Sequence, residues 1–103
     1  MRIGIVVTDQ TCGAHAMRLI DGATARGWEF RCFLSDTGVN LLADINFVEL
    51  ARRHPNCVSL CEHSAQRYAA GQYDVNALAE FVVVGGQYHD AELVRKCDKV
   101  LVF

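Results

Sequence analysis

A chain of 103 residues with net charge −2, 51% hydrophobic and 21% charged residues, five cysteines and one proline describes a single ordered domain. The longest apolar runs, Ile3–Val7 and Phe81–Gly86, fall far short of the roughly 18 residues a membrane-spanning helix needs. Eight Arg and two Lys, adjacent only at Arg52-Arg53 and Arg95-Lys96, argue against a nucleic-acid surface.

Arg2–Thr8 (RIGIVVT) is a short, β-branched, nearly continuous apolar run, the pattern of a strand buried on both faces of a parallel sheet. Asp9 interrupts it before any apolar core of a secretory signal forms, so no signal peptide and a cytoplasmic location are expected. After the turn-rich TDQTCG, Ala14–Arg26 places Ala16, Met17, Leu19, Ile20 and Ala23 at helical spacing, with Gly27 where a C-cap glycine belongs. Trp28–Leu34 (WEFRCFL) reads as the second strand and SDTG as its turn. Asn40–Arg53 reads as largely helical until His54-Pro55-Asn56 breaks it. Cys57–Leu60 is a third strand, Glu62–Ala70 a helix closed by Gly71, and Phe81–Val84 a fourth strand closed by Gly85-Gly86. Asp90–Cys97 is a helix and Lys99–Phe103 a fifth strand. The longest linker is Gln72–Asn76. Strands alternating with helices predict a three-layer, flavodoxin-like α/β domain over residues 1–103, with a five-stranded, mostly parallel sheet and helices on both faces.

In such a sheet ligands meet the C-terminal ends of the strands, here Asp9–Gly13, Ser35–Gly38, Cys61–Ser64 and Gly85–His89. An odd number of cysteines without a secretory signal reads as reduced thiols. Cys32 sits inside a strand and reads as a small core residue. Cys61 stands where the third strand hands over to a helix, a position that favours thiolate, with His63 nearby as a base or cation and Glu62 opposing it. Cys12 lies in the loop after the first strand and is a second candidate thiol, while Gly85 and Gly86 form a tight turn that lines the same crevice. His15, His54 and His89 read as surface or capping residues, His89 alone being near the crevice.

Cys57 and Cys61 are four strand residues apart, about 13 Å, too far for one metal ion or one disulfide. No metal site is expected. Cys61 to Arg67 spells Cys-x5-Arg, the spacing of cysteine phosphatases, although EHSAQ lacks the glycine that a phosphate cradle usually needs. No GxGxxG follows the first strand and no GxxxxGK[ST] occurs, so no nucleotide cofactor is expected.

RIGIVVTD, GWEFRCFLSDTGVNLL, SLCEHSAQRYAAG and DKVLVF, taken in this order and spacing, resemble the DsrE/DsrF/TusD family of small sulfur-relay proteins over nearly the whole chain. The resemblance implies that Cys61 carries a persulfide as a sulfurtransferase-type relay thiol rather than as part of a free-standing enzyme, and it assigns no role to Cys12. It also implies a homo- or hetero-oligomer, trimeric or hexameric, that exchanges sulfur with TusA-like donors and DsrC/TusE-like acceptors. Two other readings keep the fold: a non-catalytic assembly subunit or small-ligand sensor in which Cys61 only caps its helix, and a cysteine phosphatase or reductase using Cys61 and Arg67. Val39–Leu42 and Tyr68–Tyr73 are the candidate segments for an oligomer surface, or else they cover the core.

Overall fold

The computed structural model describes residues 1–103. Five parallel strands, β1 (Arg2–Val7), β2 (Glu29–Leu34), β3 (Val58–Cys61), β4 (Val82–Gly85) and β5 (Lys99–Val102), lie in the order β4-β3-β2-β1-β5. The helices are α1 (Gly13–Ala25), α2 (Ile45–Arg53), α3 (Glu62–Tyr68), α4 (Val75–Leu78) and α5 (Gln87–Lys96). The three-layer, flavodoxin-like α/β architecture read from the sequence is what the chain adopts.

The handedness of parallel crossovers decides which face each helix covers. From β1 to β4 each strand adds to the same side of the last, so α1 to α4 share one face. The connection from β4 to β5 runs back across the sheet, and the same hand puts α5 on the other face. Side-chain packing follows this division. Ala16 and Ile20 of α1, Phe47 and Leu50 of α2, Ala65 of α3 and Leu78 of α4 join Ile5, Leu34, Val58 and Leu60 in one large core. Val6 and Phe33 point the other way and form a small core with Cys61 and with Leu93 of α5. A helix is about 10 Å wide and strands are about 4.8 Å apart, so α5 covers roughly two strands. It packs on β1 and β2.

Three local features differ from the periodicity reading. Asp36–Ala43 is a 3-10 helix, and α2 begins only at Ile45, because the Asp44 side chain accepts a 2.9 Å bond from the Asn46 N–H and so caps a new helix there. Asp74 caps the short α4 in the same way, accepting from Asn76 N–H at 2.9 Å, inside the stretch read as a linker. Helix α5 begins at Gln87, three residues before the expected Asp90. Gly27 has φ +75, the left-handed C-cap expected of it. Val39, Leu41 and Leu42 are buried in the large core, so the first of the two candidate oligomer segments covers the core instead. In the second, Tyr73 is half-buried and donates its hydroxyl to the Val39 carbonyl at 2.8 Å.

Cys32, fully buried in β2, is the small core residue its position implied, and burial pushes its thiol from about 9 up to about 12. A thiol that keeps its proton in the fold but loses it when unfolded contributes stability fully below pH 9, lost as pH rises toward 12. Burial moves the Tyr73 hydroxyl to about 12 with the same sign. Between pH 8 and pH 10.5 the urea midpoint of the wild type is therefore expected to fall more than that of Cys32→Ala. Equal falls would contradict this origin.

Candidate functional site

Strand alternation fixes where the Cys61 side chain goes. Val58 and Leu60 face the large core, so Ser59 and Cys61 face α5. Cys61 is the N-cap residue of α3, as its position at the strand–helix junction suggested, but its side chain makes no capping hydrogen bond. The thiol packs with Val6, Phe33 and Leu93 and is 5% exposed, whereas α3 packs on the other face through Ala65, with Ala69 just past its end doing the same. The expected activation by the start of α3 therefore has no side-chain contact behind it.

What stands beside the thiol comes from β4. Cys61 and Gly85 are partners in the β3–β4 ladder, so a side chain at position 85 would project on the same face as the thiol. A Cβ there would lie 2.1 Å from both Cε1 and Nδ1 of His89. The imidazole thus fills the space that Gly85 leaves open, roughly one strand spacing, about 5 Å, from the Cys61 Cβ. His89 Nδ1 accepts a 3.4 Å bond from the Gly86 N–H, and the His89 N–H donates 2.9 Å to the Gly86 carbonyl. With Nδ1 acting as acceptor, the neutral ring carries its proton on Nε2 and acts as a hydrogen-bond donor. Gly85, Gly86 and His89 form one unit next to Cys61. His89 is a capping residue, as its place at the start of a helix implied, and it also has this second role.

The remaining candidates lie elsewhere. His63 is exposed on the first turn of α3, a helix committed to the opposite face, so the imidazole near the thiol is that of His89. Cys12 is the half-buried N-cap of α1 beyond β1, two strands and roughly 10 Å across the sheet from β3, too far for a disulfide with Cys61. Cys57 lies just before β3, partly against the large core and beside Arg31, at the opposite end of the strand from Cys61. The side chains bring together no group of three His, Cys, Asp or Glu able to hold a metal ion. Residues 62–68 turn into helix directly after Cys61, and the Arg67 guanidinium lies over the Tyr68 ring at 5.3 Å. The Cys-x5-Arg spacing therefore does not wrap into an oxyanion cradle.

No protein-family model, curated protein or solved structure matches the chain. No helix is long and apolar enough to cross a membrane.

Proposed function

We propose that the chain is a thiol-based sulfur carrier of the DsrE/DsrF/TusD type, with Cys61 as the persulfide-bearing residue. The observation that carries this reading is the Cys61 thiol at the C-terminal rim of a parallel sheet, sheltered by Val6, Phe33 and Leu93 and flanked through Gly85 by the His89 imidazole. A sulfur relay needs a thiol and a protected place for one extra sulfur atom, and little acid–base machinery. The Cys61 thiolate attacks the terminal sulfur of a donor R–S–SH. A new S–S bond forms, the donor S–S bond breaks, and the donor leaves as R–S⁻, giving Cys61–S–SH. The same exchange in reverse hands the sulfur to an acceptor thiol, with no net oxidation. The apolar cover limits premature attack by other thiols.

The reading includes a cytoplasmic location, exchange with small TusA-like and DsrC/TusE-like carriers, and an oligomeric assembly. Supporting the last, edge strand β5 leaves Leu101 42% and Val102 69% exposed, and no strand pairs its outer side.

Intact-mass measurement after incubation with a low-molecular-weight persulfide tests the proposal. The expected result is a gain of about 32 Da per sulfur, reversed by reductant, absent in Cys61→Ser and retained in Cys12→Ser. A gain that persists in Cys61→Ser, or none in the wild type, favours the reading in which Cys61 is a structural cap in an assembly or sensor subunit.

A further inference from the structure

Because α5 covers only part of its face of the sheet, a cavity of about 350 Å³ lies between α5 and strands β2 to β4. Arg31, Cys57 and Ser59 line it from the sheet side, Glu92 and Lys96 from α5, and Arg2 from β1. Three cations meet one carboxylate there, in a protein whose net charge is −2. Most of these charges are already matched. The Arg2 guanidinium reaches Glu29 at 2.7 Å, and Glu92 accepts from Lys96 at 3.0 Å and Arg95 at 2.9 Å.

Arg31 differs from the others. It is half-buried and has no carboxylate partner, although the chain holds twelve acidic residues. Its Nη1 donates to the Phe30 carbonyl at 2.9 Å and approaches Cys57 Sγ at 3.6 Å, while Nε and Nη2 donate to nothing in the chain. A guanidinium presents its donors as a planar fork that matches two oxygens of one anion. The volume lies at the lower end of small-molecule sites, and Leu93 and Val83 add an apolar wall.

We propose that this groove binds a small oxyanion-bearing molecule, with the unmatched Arg31 guanidinium gripping the oxyanion. The proposal does not need the sulfur-relay reading: Arg31 lies beside Cys57 at the opposite end of β3 from Cys61, although His89 and Leu93, which stand near the thiol, also line the groove.

Amide chemical-shift titration of the whole protein tests it with two probes, inorganic phosphate and acetate, each against sodium chloride at matched ionic strength. The expected result is saturating shifts around Cys57, Ser59 and Glu92–Lys96 for at least one probe, the stronger probe telling phosphate from carboxylate chemistry. Arg31→Gln is expected to weaken that binding about tenfold or more, while Arg18→Gln, an exposed arginine on α1, leaves it unchanged. Should Arg31→Gln fail to fold, Arg31→Lys keeps the charge without the fork and is expected to weaken binding several-fold. Shifts reproduced by chloride, no shift with either probe, or unchanged affinity in the Arg31 variants would overturn the proposal.

Discussion

Gly38→Ala is expected to lower the melting temperature by about 10–20 °C. Gly38 lies in the 3-10 helix Asp36–Ala43, where that helix crosses the end of β1. A Cβ there would stand 2.1 Å from the Val7 carbonyl oxygen and 2.8 Å from its carbon, both backbone atoms that no rotamer change can move. The same oxygen accepts a 3.0 Å bond from the Ser35 N–H. Relief requires β1 or the 3-10 helix to shift, dragging the buried Val39, Leu41 and Leu42 with it. Overpacking of this kind costs about 2–3 kcal/mol, and each kcal/mol moves the midpoint of a domain this size by about 4–8 °C. Gly22→Ala provides the contrast, because nothing lies within 4 Å of its added Cβ and α1 gains helix propensity, about 0.5–1 kcal/mol of stabilisation. Thermal unfolding of the two variants checks the account. An unchanged midpoint for Gly38→Ala would show that the crossing at Val7 is looser than described.

Phe33→Ala is expected to cost about 3–5 kcal/mol and to uncover Cys61 at the same time. Phe33 is fully buried and is the largest member of the small core it forms with Val6, Cys61 and Leu93. Few neighbours are available to collapse into the space it vacates, because α5 is the only helix on that face. Phe47→Ala, in the large core on the other face, carries a similar cost from an equally buried ring without touching the thiol's cover. At matched global stability, native-state alkylation of Cys61 should therefore be faster in Phe33→Ala than in Phe47→Ala. Equal rates would mean that the thiol is reached only by global unfolding and that its cover has no separate role.

All five strands and the parallel, three-layer class were legible because short β-branched runs alternate with amphipathic segments. Gly27 marked the end of α1 for a reason of backbone conformation that the fold bears out. The 3-10 helix Asp36–Ala43 was not legible as such, since Val39, Leu41 and Leu42 suit the buried side of an α-helix equally well. The start of α5 was missed because a single residue, Gly86, extended at φ −150 and ψ −156, separates the end of β4 from the helix. At the candidate site, the location of Cys61 on the sheet rim could be read from sequence, and the direction of its thiol could have been: Val58 and Leu60 claim the core, and parity sends Cys61 the other way. The role of His89 could not, because it depends on Gly85 being the ladder partner of Cys61. The groove around Arg31 was hidden for a similar reason, as it exists only where α5 stops covering the sheet.

Locating the added sulfur within the persulfide-treated wild-type protein shows whether Cys61 is the carrier thiol. Trypsin cuts after Arg53 and Arg67, so Cys57 and Cys61 leave on one peptide, His54–Arg67, and fragment-ion masses are needed to tell them apart. The extra sulfur, about 32 Da, is expected on Cys61 alone at limited loading. Sulfur on Cys57 or Cys12 with Cys61 unmodified would contradict that assignment.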